Sequence, residues 1–150
     1  MKRSAAREIA IRLCYSAELA ELENADFIDE FFADEHYASL SAEDELFATK
    51  PNAAQLNYIR SLVELVFAHK QELDATIEKY AKGWSLKRIS RISLAIMRCA
   101  LCEILYLDDV PEKVAINEAV NVAKRYEETE TVSFINGVLG SFVRAQQENT

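Results

Sequence analysis

Apolar residues recur along this chain at intervals of three and four, the spacing that places them on one face of an α-helix. In the first stretch Ala6, Ile9, Ala10, Leu13, Ala17 and Ala20 form such a stripe, which predicts a helix from about Ser4 to Leu22 with Ser4 as its cap. Phe27, Ile28, Phe31 and Phe32 predict a short helix. From Ala33 to Pro51, acidic residues with Ser and Thr interrupt the pattern and read as a loop. Leu56, Ile59, Val63, Val66 and Phe67 mark the inner face of a helix after Pro51, and Leu73, Ile77 and Tyr80 that of another, with a break near residues 68–71. Gly83 ends that helix, Trp84 is expected to anchor the following turn, and Ser85 to Ile89 read as one helical turn. Ser90 then caps a helix to about Leu107 that is apolar around most of its circumference, which puts it at the centre of the fold. Past Val110-Pro111, the residues Ile116, Ala119, Val120 and Ala123 form one stripe, and Val132, Ile135, Val138, Leu139, Phe142 and Val143 form the next. Gly137 and Gly140 lie inside this last helix, where each costs about 1 kcal/mol relative to Ala, and they are expected to admit the close approach of another backbone.

Period-two alternation of β-branched residues is scarce, and there are only three Gly and two Pro, so the fold class is all-α. A chain of 150 residues reads as one domain. Domains of this size bury about 68–70% of their unfolded surface, enough for a core without covalent staples. No run approaches the roughly 18 apolar residues of a membrane span, and Met1-Lys2-Arg3 leads into a charged helix, so a soluble, cytoplasmic protein is expected.

The net charge of −8 is unevenly spread. Residues 1–20 carry four basic and two acidic side chains, residues 21–50 one basic and ten acidic, and residues 51–150 twelve basic and thirteen acidic. Between Lys79 and Cys102 there is no carboxylate, while Lys79, Lys82, Lys87, Arg88, Arg91 and Arg98 supply six positive charges. Two basic regions therefore flank an acidic one. On the first helix Arg7, Ile11 and Tyr15 form an i, i+4, i+8 row, with Arg3 one turn earlier and Lys2 beside it. As an outer face this row suits phosphate contact and base stacking; alternatively, Ile11 and Tyr15 pack on a neighbouring helix.

Candidate chemistry is thin. Cys99 and Cys102 form a CxxC inside an apolar helical segment with no second Cys pair or nearby His, and read as packing residues; Cys14 completes a sparse set suited to a reducing compartment. His36 and His69 have no metal-like spacing. Glu103 shares a stripe with Ile92, Ile96 and Cys99, so it should be buried and hydrogen-bonded, in a structural role. There is no Gly-rich phosphate loop, Ser-His-Asp arrangement, HExxH or complete Cys/His metal set, which leaves a binding protein without cofactor or metal as the expectation.

Several motifs in register carry a resemblance. AINEAV at 115–120, Ala123-Lys124 and FINGVL at 134–139 are similar to the paired INEA and F-[IV]-NGVL helices of the NusB transcription antitermination family. Upstream, Trp84-Ser85-Leu86, Arg88-Ile89, then Ile96, Arg98, Ala100, Glu103, Ile104 and Val110-Pro111 match in order and spacing, as do Arg7, Ala10, Leu13 and Tyr15 near the start. The resemblance implies about seven helices in two packed bundles and a role in antitermination of ribosomal RNA operons. It implies binding of boxA RNA together with the ribosomal protein NusE, and contact with other Nus factors and RNA polymerase through that complex; family members differ in whether they form a homodimer. Carried over residue by residue, it marks Lys2, Arg3, Arg7, Arg12 and Tyr15, and then Lys124, Arg125 and Tyr126, as facing RNA. The family often has a denser arginine cluster at the start, an acidic residue near Ser93 and a Tyr near Cys102, where this chain departs. The alternatives are a protein-binding helical adaptor without RNA affinity, suggested by the acidic segment, and a detached NusB-like domain of a ribosomal RNA cytosine methyltransferase, for whose cofactor-binding domain 150 residues leave no room.

Overall fold

A computed structural model describes residues 1–149. It contains seven α-helices, α1 (Arg3–Leu19), α2 (Ile28–Phe31), α3 (Asp34–Ser41), α4 (Ala53–Tyr80), α5 (Arg91–Tyr106), α6 (Glu112–Tyr126) and α7 (Thr129–Glu148), and no strand among the described residues. Short 3-10 turns occupy Glu45–Phe47 and Leu86–Arg88. The chain divides into two compact helical units, Met1–Phe67 and Ala68 onward. The boundary falls within α4 beside His69, whose φ of −118° and ψ of 17° are non-helical, at the break expected from the sequence. The two segments expected after Pro51 are the two halves of α4, meeting at the His69 kink, and α3 stands where a loop was expected.

In the first unit, α1 starts two residues into the chain on Lys2, not on Ser4, and no side chain caps it. Its end is a Schellman motif. The Leu22 N–H donates to the Ala17 carbonyl at 2.9 Å and the Glu21 N–H to that of Glu18 at 3.1 Å, which drives Glu21 to a φ of +55°. A left-handed residue with a Cβ costs about 1–2 kcal/mol. Because glycine adopts that conformation freely but loses more entropy on folding, Glu21→Gly is expected to stabilise by about 1 kcal/mol net. For a chain of this size that raises the melting temperature by about 2–4 °C. An unchanged or lower melting temperature in calorimetry would contradict this reading of the helix end.

The stretch 33–50 is folded, not a loop. Phe31 lies edge-on to Phe32 at 4.9 Å and to Phe47 at 5.8 Å, and Phe32 stacks on Tyr37 at 5.6 Å. The Tyr37 hydroxyl donates to the Thr49 carbonyl at 2.8 Å, and burial pushes its ionisation upward. Phe32, Tyr37 and Phe47 are all buried, so α3 exists to place Tyr37 in this cluster, and Asp34 and Glu35 favour its start by sitting in the first turn. The acidic residues between the rings point outward: Asp29, Glu30, Asp34, Glu35, Glu43 and Glu45 are exposed.

In the second unit α5 is buried from Ser93 to Glu103 and packs on α6 and α7, the central position expected of it. Its start is capped as expected, with the Ser93 N–H donating to Ser90 Oγ at 3.1 Å. Glu103 is 1% exposed, and Cys99 and Cys102 are buried free thiols. Arg98 does not belong to the surface basic run: it is buried, and its Nε and Nη2 donate to the two carboxylate oxygens of Asp74 at 2.7 and 3.1 Å. Gly83, at φ +82°, follows the end of α4, and the Trp84 N–H closes the turn on the Ala81 carbonyl at 2.9 Å, while the Trp84 side chain is 50% exposed. The buried face of α7 is the expected one, from Ile135 to Val143. Its glycines do not admit another backbone. A Cβ at Gly137 would meet nothing within 4 Å, and one at Gly140 only the Arg144 guanidinium at 3.3 Å.

Candidate nucleic-acid interface

The eight residues marked from the sequence fall into two groups, one on each unit. On α1 the outward row is not outward. Arg7 is 3% exposed and Ile11 is buried, while Tyr15 is half-buried. The first half of α1 is enclosed on most of its circumference, since Ala6, Arg7, Glu8, Ile9, Ala10 and Ile11 are consecutive buried residues. Tyr58 on α4, 7% exposed, lies beside this cation: its ring receives the Arg7 guanidinium at 5.9 Å and that of Arg3 at 4.4 Å. Arg3 and Arg7 are one helical turn apart, so both reach the same ring.

The other cations of α1 are held differently. Arg12 lies over the Phe47 ring at 5.0 Å and pairs with Asp44, whose carboxyl is held below the usual carboxylate range by that hydrogen bond and by the Leu46 N–H it also accepts. Thus Arg12 ties α1 to the acidic segment. Lys2 and Arg3 are exposed. The start of the chain is itself fixed: Asn52 and Gln55 form a reciprocal capping box at the head of α4, each backbone N–H donating to the other's side chain at 2.9 Å. The free Nε2 of Gln55 donates to the Met1 carbonyl.

On the second unit Lys124, Arg125 and Tyr126 form the last turn of α6, and all three are exposed. Cations there also complement the helix dipole, which gives Lys124 and Arg125 a structural reason as well as a surface one. The carboxylate-free run keeps five exposed cations, Lys79, Lys82, Lys87, Arg88 and Arg91. Among them Trp84 lies 5.5 Å from Phe134, beside a cleft of about 230 Å³ walled by Arg88, Ser90, Glu127 and Glu130. Tyr58, Trp84 and Phe134 were not marked as site residues by the sequence. Tyr58 and Phe134 lie in segments remote from the cations they accompany, and only the long-range pairing reveals them, whereas Trp84 sits within the basic run itself.

Both patches set cations beside flat rings, and in the cleft the Ser90 and Ser93 hydroxyls both donate to the Glu127 carboxylate, at 2.5 and 2.9 Å. Among the described residues no cluster of His, Cys, Asp and Glu is placed to hold a metal ion, and no helix is long and apolar enough to cross a membrane.

The sequence model of the NusB family matches residues 4–144. The transcription antitermination protein NusB of Acetivibrio thermocellus is 42% identical over 146 residues, covering 97% of this chain and 91% of that protein. That of Listeria monocytogenes serotype 4a is 36% identical over 141 residues, covering 94% and 95%. Among solved structures, T. maritima NusB superposes with a TM-score of 0.76 at 23% identity, covering 96% of this chain and 92% of that one. A chain from the complex of antitermination factors NusB and NusE with dsRNA gives 0.68 at 22% identity, covering 95% and 96%. At those identities the superpositions speak for the fold.

Proposed function

We propose that this chain, which belongs to the NusB family, works as that family's antitermination factors do, by holding boxA RNA of ribosomal RNA operons together with NusE. It is a transcription antitermination factor and not an enzyme. The observation that carries the reading is the match over residues 4–144, at 42% identity to a protein of that name. The naming of NusE and dsRNA in the complex of a structural neighbour supports the choice of partners. Through this complex the chain meets other Nus factors and RNA polymerase, in the cytoplasm.

The eight residues divide by role. Lys2 and Arg3 on the first unit, and Lys124 and Arg125 on the second, are exposed and take phosphates; Tyr15 and Tyr126 offer ring surface to bases. Arg7 and Arg12, held against Tyr58 and Asp44, support the first patch from beneath. With two phosphates of a single strand neutralised at each patch, log K against log salt is expected to have a slope of about −1.4 per occupied patch, at roughly −0.7 per phosphate. Fluorescence anisotropy at several salt concentrations measures it. A slope near zero, or affinity that ignores replacement of Arg3 and of Lys124-Arg125, would remove the RNA assignment of these patches.

A further inference from the structure

We infer that Tyr58, which no family motif quoted above includes, is a positioning residue that fixes the Arg3 guanidinium for phosphate contact. This inference rests on the RNA-binding reading of the first patch. An exposed arginine in the first turn of a helix would ordinarily sample many rotamers, and ordering it on an RNA would cost affinity. Here the ordering is already done. The Tyr58 ring lies 4.4 Å from the Arg3 guanidinium, and Tyr58 is itself buried, so the platform does not move with solvent. Independently, Gln55, one turn before Tyr58 on the same helix, donates to the Met1 carbonyl and so pins the backbone that carries Arg3. One face of α4 thus grips both the main chain and the side chain of the N-terminus.

The chemistry fits a phosphate. The Arg3 guanidinium carbon lies over the ring, 4.4 Å from its centroid, and the planar fork of N–H donors on a guanidinium matches phosphate oxygens in pairs. Arg7 approaches the same ring at 5.9 Å but is buried, whereas Arg3 is exposed, so Arg3 is the member of the pair that a ligand meets.

The test is a double-mutant cycle on RNA affinity, using Arg3→Ala, Tyr58→Leu and the double variant, with Tyr58→Phe as the ring-retaining control and with folding of each followed by circular dichroism. Arg3→Ala and Tyr58→Leu are each expected to weaken binding about threefold to tenfold, the double variant no more than either, and Tyr58→Phe to bind like the parent. Equal losses from Tyr58→Leu with and without Arg3, or the same loss in Tyr58→Phe, would overturn the positioning role while leaving the RNA reading intact. Parent-like binding by Arg3→Ala would instead remove Arg3 from the RNA site, and the inference with it. Should Tyr58→Leu unfold, the parent decides: Arg3 side-chain proton resonances shifted upfield by the ring support the inference, and random-coil positions contradict it.

Discussion

Arg7→Glu is expected to destabilise the first helical unit by about 3–5 kcal/mol, not merely to weaken RNA binding. The residue is 3% exposed and its guanidinium shares the Tyr58 ring with Arg3, in a stretch where six consecutive residues are buried. Reversal of a buried charge leaves a carboxylate without solvation against a ring whose face is itself negative, and strips its former partners of their cation. Breaking a buried ionic arrangement by changing one member costs about 3–5 kcal/mol, a large part of the 5–15 kcal/mol that holds a typical domain together. Thermal denaturation followed by circular dichroism reads this directly. A melting temperature within 2 °C of the parent, about the shift that 1 kcal/mol gives at this size, would contradict the burial of Arg7.

Phe47→Ala should destabilise by about 3–5 kcal/mol, the range for deleting a buried phenylalanine side chain. The ring is 4% exposed, lies 5.8 Å from both Phe31 and Tyr37, and carries the Arg12 guanidinium on its face at 5.0 Å. Its loss therefore empties the centre of the cluster and removes the aromatic face beneath Arg12. The denaturant midpoint should fall with little change in slope if the unit unfolds as one, whereas an unchanged midpoint would mean that 33–50 contributes no packing. This segment holds five of the ten carboxylates of residues 21–50, so the prediction also separates two views of it, a solvated charged loop or a folded element with charges on its outside.

The parts of the fold that were legible in the sequence are those where local chemistry and long-range packing agree. Ser90 caps α5, Pro111 precedes α6, Gly83 ends α4, and the stripe from Ile135 to Val143 faces the interior because its spacing has one solution. Residues 33–50 were illegible because Tyr37 and Phe47 are single rings ten positions apart, with no period to announce a helix. What orders them is contact with Phe31 and Phe32, set by tertiary structure. Arg7 and Arg98 were misplaced for one shared reason. A charged side chain reads as surface until its partner is known, and the partners, Tyr58 and Asp74, lie 51 and 24 residues away. The candidate site was accordingly legible as a set of cations and rings, but not in its division between exposed contacts and buried supports.

That division does not alter what the chain is proposed to bind, and one titration bears on it most directly. Fluorescently labelled boxA RNA and a scrambled RNA of equal length and composition are titrated with the protein, alone and with NusE present. The account predicts weak binding to boxA by the chain alone, because few exposed cations face the RNA on a chain of net charge −8. With NusE it predicts a gain of about a hundredfold or more, since a partner that also grips the RNA makes the second contact effectively intramolecular, and a smaller gain for the scrambled RNA. Equal affinity for the two RNAs with NusE present, or no binding to either, would contradict it.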